Sequence, residues 1–327
     1  MAQEGFEEQP AVSAIIVSFF TGPLLARAIA SLKAAPEIRE IIVVDNGNWE
    51  GAVQAAADAS PDGAPVEIVS GHGNVGFATA CNLGAKRARG DCLLFLNPDA
   101  IMPTGGLARI ITDGAKLERP WLIGPMIANP DGTEQQGSRR QTLTPWTAFV
   151  EATRLHRVAP RHPYFRRFNI HGDPRPAEVT PVPVISGACF FLHKEDYFLI
   201  GGMDERYFLH VEDVDFCLRF AKAGGRVFFD PHVGVVHHKS SSRVSAMRVE
   251  RRKTASVIRY FNTHFSEPYP APFLWLVAAL LWGVFGLKLV ARAASRAGSF
   301  LKLRARSGAA VVRRARQISA QRRSRRF

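Results

Sequence analysis

Short apolar runs recur along the first hundred positions, and most are followed by a stretch with helical spacing. Residues 14–20 (AIIVSFF) are β-branched and aromatic, which reads as a buried strand. Gly22 and Pro23 then open LLARAIASLKAA, apolar at helical spacing. Residues 40–45 (EIIVVD) read as a second buried strand ending at the turn Asp45-Asn46-Gly47. A helix is expected over 54–59, a strand over 66–70, a helix over 77–88 and a strand over 91–96. That last strand ends at Asn97-Pro98-Asp99, and Pro103 is placed for the first turn of another helix. The alternation predicts an α/β fold: a mainly parallel, Rossmann-like sheet with helices on both faces. Such sheets bind ligands beyond the carboxyl ends of their strands, where Asp45, the loop 71–76 and residues 97–99 all fall.

The stretch 129–181 is less regular and rich in Arg, His and Pro. Regularity returns over 182–192 (VPVISGACFFL), read as one strand. Gly201-Gly202 is a turn, 211–223 a helix and 226–229 a strand, and 233–236 leads into His237-His238. Residues 1–11 are polar and acidic and lack the basic and apolar regions of a secretory signal, so they are expected to be disordered.

The four cysteines, Cys81, Cys92, Cys189 and Cys217, form no C-x-x-C pair and lie in or beside apolar segments. They read as buried reduced thiols rather than a zinc site. Net charge is +13, but thirteen basic and no acidic residues lie from Lys288 onward, so the body is neutral and the tail strongly basic. The tail carries few aromatics, Phe300 and Phe327, which speaks against sequence-specific nucleic-acid reading, and no nucleic-acid partner is expected.

Gly71-His-Gly73-Asn74-Val75-Gly76 matches G-x-G-x-x-G between a strand and a helix. It follows the third strand of the unit, not the first, and no second feature of a hydride-transfer site accompanies it. A nucleotide-facing loop on another α/β fold, a tight packing turn and an NAD(P)-dependent oxidoreductase are the three readings. Glu212-Asp213-Val214-Asp215 places three carboxylates among Tyr207, Phe208, Leu209, Val211 and Phe216. On a helix Glu212 and Asp215 share a face, and Asp213 points about 100° away. A charged helix start is the plain reading; apolar flanks favour general-base chemistry. Asp99 after a buried strand suits a hard cation, and His237 or His238 at the same sheet edge could complete its ligation.

Together these motifs resemble glycosyltransferase family 2, the inverting transferases of GT-A fold, and most closely its bacterial rhamnosyltransferase-like branch. The resemblance runs over about 14–242 and rests on IIVVDNG, GNVGFATACNLG, NPD, SGACFFL, GGMDE, EDVD and the trailing HH. It implies a GT-A domain over 12–265, with a nucleotide-binding half to about 125 and an acceptor half over 126–245. It implies that Ser18, Asp45, Asn74, Gly76, Asn97 and Asp99 bind the nucleotide sugar. Asp99 and His237 would hold Mg²⁺ or Mn²⁺, and Asp213 would be the general base. Phe20 and Asn48 depart from the family's usual Asn and Ser at those places. The donor implied first is dTDP-L-rhamnose, then UDP-galactofuranose or another hexose, and the acceptor a lipid-linked saccharide of cell-envelope polysaccharide synthesis. Glu212, Arg166 and Arg167 are acceptor-side candidates, the arginines because a lipid diphosphate is anionic.

Residues 273–287 are fifteen uncharged positions, about 22 Å as a helix, which is short against a bilayer core of about 30 Å. A membrane-associating helix over 268–291 followed by the Arg-rich tail 292–327 is expected. A single crossing would put the tail outside, against the positive-inside bias. The expectation is therefore a peripheral enzyme on the cytoplasmic face of the inner membrane, held on anionic lipid by this helix and tail. An oligomer is compatible with the sequence.

Overall fold

A computed structural model of the chain describes residues 10–159, 162–239 and 245–293. Residues 1–9, 160–161, 240–244 and the tail from 294 onward lie outside the described residues, so the expectations placed on them are not addressed by it. The chain divides into two compact units, Met1–Val277 and Ala278–Phe327.

The first unit begins with β1 (Val12–Ser18), α1 (Leu24–Lys33), β2 (Ile38–Asp45), α2 (Ala52–Asp58), β3 (Val66–Val69), α3 (Phe77–Arg87) and β4 (Cys92–Leu96). It continues through β5 (Ala100–Ile101), α4 (Gly106–Gly114), β6 (Trp121–Ala128), β7 (Arg139–Arg140) and α5 (Pro145–Thr153). Then follow β8 (Thr180–Pro181), β9 (Val184–Ile185), β10 (Cys189–His193), α6 (Lys194–Leu199), α7 (Glu212–Lys222), β11 (Arg226–His237) and α8 (Ala246–His264). The main sheet has nine strands in the order β3-β2-β1-β4-β10-β6-β11-β5, with β8 beside β11; β7 and β9 form a separate ribbon. β1–β2, β2–β3, β1–β4 and β6–β11 are parallel, while β10 runs antiparallel between β4 and β6.

The all-buried strands are those whose sequences are continuous apolar runs: every residue of β1, β4 and β6 is buried. This is the pattern of sheets covered on both faces. Aromatic packing ties α7 to the sheet, with Phe95 stacked on Phe190 at 4.5 Å and Phe190 on Phe216 at 5.9 Å between ring centroids. All four cysteines are buried and unpaired, as their apolar settings imply.

Three local expectations change. The run 182–192 is not one strand; β9 and β10 are separated by Ser186-Gly187-Ala188. Conversely, 226–229 and 233–236 belong to one strand, β11, whose register with β6 shifts between Asp230 and Gly234. Pro103 precedes α4, whose N-cap is Gly105 in the left-handed region at φ 72°.

Of the second unit, residues 278–293 are described and helical, and Trp282 meets Phe285 edge-on at 5.6 Å. They belong to a 23-residue helix, Ala271–Ala293, whose mean hydropathy is 2.1 over an 18-residue window. At about 1.5 Å per residue it measures roughly 34 Å. It is thus long and apolar enough to cross a membrane by length and composition, and it runs past Lys288 beyond the fifteen-residue uncharged core of the expected 268–291 segment.

Candidate active site

The sheet brings the polar strand ends to one level: Ser18 at the end of β1 is paired with Asp45 at the end of β2. Asp45 Oδ1 accepts the backbone N–H groups of Gly47 (3.1 Å) and Asn48 (2.8 Å) and the Asn48 side-chain amide (2.7 Å). Asn48 also donates to Ser18 O at 3.0 Å and accepts the Phe20 N–H at 2.7 Å. That bond holds Phe20 at φ 49°. The two departures from the family pattern therefore act together, as a clamp between the ends of β1 and β2.

The glycine loop closes on the same edge. Buried Asn46 donates to Asn74 Oδ1 (3.1 Å) and Gly76 O (3.3 Å) and accepts the Val75 N–H (3.1 Å). Gly76 has φ +91°, and a Cβ there would lie 2.7 Å from Phe208 O. Phe77 N donates to that same carbonyl at 2.8 Å. The glycine is needed because the chain preceding α7 crosses directly over the loop.

Asp99 and His237 meet where β5 pairs with the end of β11, His237 opposite Ala100. His237 Nε2 lies 3.1 Å from Asp99 Oδ1 and 3.3 Å from Asn97 Nδ2; the His237 and Asp99 side chains are 11% and 8% exposed. Gln135 donates from Nε2 to Asn129 Oδ1 and to His237 O, both at 3.0 Å, so its Oε1 is the atom facing His237 Nδ1 at 2.8 Å. This network assigns the ring proton to Nδ1 and leaves a lone pair on Nε2. A lone pair and a carboxylate oxygen facing each other at 3.1 Å call for a proton or a cation between them. An N,O donor set with a fixed tautomer fits a divalent cation. His238 reaches Asp99 through its backbone N–H, at 2.9 Å from Asp99 O.

The first turn of α7 carries Glu212, Asp213 and Asp215. Asp213 Oδ2 accepts Arg140 Nη2 at 2.5 Å and Gly187 N at 3.0 Å, and Oδ1 accepts Val214 N at 2.8 Å. Ser186-Gly187-Ala188 breaks the strand run at the point where Gly187 N–H turns toward this carboxylate; a Cβ on Gly187 would sit 3.0 Å from that of Asp213. Burial pushes the Asp213 carboxyl up, but the Arg140 charge and hydrogen bond, with the two N–H donors, bring it below the usual carboxylate range. Glu212 is buried, its Oε2 has no hydrogen-bond partner, and burial with the adjacent Asp213 charge pushes it up to about 8. Asp213 is thus ionised and Glu212 neutral at pH 7. Asp215, fully buried, is held by Arg219 and by His264 of α8, each at 2.6 Å.

Arg166 and Arg167 are exposed and do not contact Asp213 among the interactions of the described residues; Arg140 is the arginine that does. Asn46, Gln135, Arg140 and Gly187 were not singled out from the sequence. Asn46, inside the D-N-G turn, and Gly187, inside SGACFFL, carried a local signal; Gln135 and Arg140 did not. A set of three metal-capable groups, Asp113, Asp230 and His232, lies within 4.8 Å of one another at α4 and the irregular part of β11. Asp113 already takes Arg109 at 2.6 Å and Lys116 at 2.8 Å, so cations of the chain itself neutralise it.

The model of Glycosyl transferase family 2 matches residues 13–195, more than half of the chain; Asp213 and His237 lie beyond its end. An N-acetylglucosaminyl-diphospho-decaprenol L-rhamnosyltransferase of Mycobacterium tuberculosis is 28% identical, over 82% of this chain and 89% of its own length. The rhamnosyltransferase WbbL of Escherichia coli K12 is 26% identical over 68% of this chain and 82% of its own. Among solved structures, GalNAc-T7 with UDP, GalNAc and Mn²⁺ superposes with a TM-score of 0.57 at 18% identity, over 80% of this chain and 49% of that one. The shared fold is GT-A-like, and the oxidoreductase reading of the 71–76 loop falls away. This chain belongs to glycosyltransferase family 2, and it is a glycosyltransferase related to the rhamnosyltransferases.

Proposed function

We propose that the protein transfers a sugar, with inversion, from a nucleoside-diphosphate donor to a lipid-linked saccharide at the cytoplasmic face of the membrane. L-Rhamnose from dTDP-rhamnose is the donor favoured by the relatives' names, and the diphospho-decaprenol acceptor of the mycobacterial relative supplies the acceptor class. The observation that carries the reading is the Asp99–His237 pair, an N,O donor set held at 3.1 Å with Gln135 facing the other ring nitrogen; the Asp213 carboxylate held by Arg140 and Gly187 N–H supports it.

Ser18, Asp45 and Asn74–Gly76 frame the nucleoside end, and Asn97 and Asp99 face the diphosphate. Asp99 and His237 would hold Mg²⁺ or Mn²⁺, which offsets the charge of the departing nucleoside diphosphate. Asp213 takes the proton of the attacking acceptor hydroxyl, and a single base with in-line attack at the anomeric carbon inverts the centre. Arg140 keeps that carboxylate ionised and aimed by holding Oδ2. Glu212, Arg166 and Arg167 lie on the acceptor side, the arginines attracting the acceptor diphosphate. The helix Ala271–Ala293 and the basic tail hold the enzyme at anionic lipid. Length permits the helix to cross; the positive charge that follows it favours keeping both ends cytosolic.

The test is release of nucleoside diphosphate from a panel of nucleotide sugars with Mg²⁺ or Mn²⁺, followed by transfer assays on Asp213→Asn. The strongest metal-dependent turnover is expected with dTDP-rhamnose, and Asp213→Asn lowers transfer about 10²–10⁴-fold with donor binding kept. Full activity in excess chelator refutes the metal assignment, and near-normal transfer by Asp213→Asn refutes the base.

A further inference from the structure

Between positions 152 and 172 the chain carries five arginines and no acidic residue. Where this stretch is described, two kinds of side chain face outward. Val158 is 81% exposed and Tyr164 71%. Arg154, Arg157, Arg166 and Arg167 are exposed near them in the chain. A basic loop that only faces water has no need of an exposed valine and tyrosine. Arginine interleaved with tyrosine and aliphatic side chains, without acids, is the composition of a surface seated at lipid headgroup level.

The patch is held firmly. Trp146 Nε1 donates to Tyr164 O at 2.8 Å, and its ring lies 6.4 Å from that of Phe165. Trp146 and Phe149 of α5 in turn meet Phe273 at 6.4 and 5.9 Å. Phe273 lies in the first turn of the helix Ala271–Ala293, and Trp275, two residues on, is 72% exposed. An aromatic stack therefore joins the exposed patch to the start of the helix apolar enough for a membrane.

We propose that segments 145–159 and 162–168 form a second bilayer-contact surface. Val158 and Tyr164 enter the interfacial zone, Arg154 and Arg157 engage anionic lipid headgroups, and Arg166 and Arg167 at the same level meet the diphosphate of a membrane-held acceptor. This rests on the membrane association proposed above. It also sets a distance. Tyr164 is four residues from Phe168, at most about 14 Å along the chain. The Arg140 guanidinium lies 5.7 Å from the Phe168 ring centre and bonds Asp213. The Asp213 carboxylate therefore lies no more than about 25 Å from Tyr164, which keeps it within reach of an acceptor whose diphosphate sits at the headgroups.

The experiment places single thiol-reactive fluorophores on the full chain in vesicles of mixed neutral and anionic phospholipid containing spin-labelled lipid. The four native cysteines are buried, and burial pushes the Cys92 and Cys217 thiols up to about 12, so labelling is confined to the introduced site. Labels go at Val158→Cys and Tyr164→Cys, at Trp275→Cys to report the apolar helix, and at exposed Asp62→Cys as the distant reference. Quenching at 158 and 164 approaching that at 275, severalfold above that at 62 and weakened without anionic lipid, is the expected result. Quenching at 275 with 158 and 164 no different from 62 overturns this proposal and leaves membrane association standing. No quenching at 275 overturns both. With a lipid-linked acceptor in the same vesicles, Val158→Asp with Tyr164→Asp should raise acceptor KM about tenfold and leave donor hydrolysis unchanged; an unchanged acceptor KM also counts against the surface.

Discussion

Replacing Glu212 by Gln keeps the side chain's shape and removes its ability to ionise. In the folded protein this carboxyl is 6% exposed, has one oxygen without a hydrogen-bond partner and sits beside the ionised Asp213, which together push it from 4.5 up to about 8. The unfolded chain releases the proton near 4.5, whereas the folded chain holds it to about 8. Glu212 therefore leaves stability intact below the lower value and erodes it as pH rises between the two. At 1.36 kcal/mol per pH unit the ceiling is about 5 kcal/mol. Relaxation around the coupled pair would roughly halve it, to about 2–3 kcal/mol, or about 5–10 °C in Tm for a body of this size. Thermal unfolding of wild type and Glu212→Gln at pH 5 and pH 8 checks this: the variant should match wild type at pH 5 and exceed it at pH 8. With Asp213 as the proposed base, the same variant should keep transfer within about tenfold. A stability gap that does not widen with pH refutes the burial argument. Loss of transfer by 10²-fold or more in Glu212→Gln, with Asp213→Asn active, reverses the two roles.

Arg140→Ala removes the charge that lowers Asp213, so the acid limb of the pH–rate profile should move to higher pH while kcat falls, and Arg140→Lys should restore part of the shift; an unmoved limb refutes the pairing. The variant should also lose about 3 kcal/mol of stability, the usual cost of leaving a buried charge unpaired, read by denaturant unfolding. Gln135→Leu frees the His237 tautomer and should weaken divalent-cation affinity about 10–100-fold by calorimetric titration; unchanged affinity means Gln135 does not orient the ligand. Gly76→Ala forces a Cβ to within 2.7 Å of Phe208 O at φ +91° and should cost about 1–3 kcal/mol and raise donor KM; an unchanged Tm contradicts the contact.

The parts of the site that were legible in the sequence sit where a short apolar run ends in a polar turn. Asp45, Asn97, Asp99 and His237 all follow buried strands, and strand burial is a local property of the sequence. Asp213 stood out because acids among aromatics are unusual. What stayed hidden was decided across the fold. The run 182–192 is apolar throughout, and only a hydrogen bond to a carboxylate 26 residues away explains its break. Arg140 was one arginine among many, and its partner lies 73 residues on; Gln135 meets His237 across 102. Neither pairing has a periodic signature. The apolar helix, Ala271–Ala293, lies within a few residues of the 268–291 read from the sequence, because apolar composition is a local signal and one lysine does not end a helix.

The bond between Asp215 and His264 fixes where an independently folding catalytic fragment can end. Asp215 is wholly buried in the first turn of α7, and His264, in the last turn of α8, is a hydrogen-bond partner of Oδ1 beside Arg219 on Oδ2. Tyr260, also fully buried, lies on the same helix, with its ring 5.1 Å from that of His264. A chain stopped after β11 would leave Oδ1 of that buried carboxylate without its hydrogen-bond partner, two residues from Asp213. The loss would reach several kcal/mol, comparable to the whole stability of many domains. Expression boundaries drawn near position 240 should give insoluble or inactive protein, whereas a stop just after α8, near 267, keeps the catalytic helix braced and removes the apolar helix.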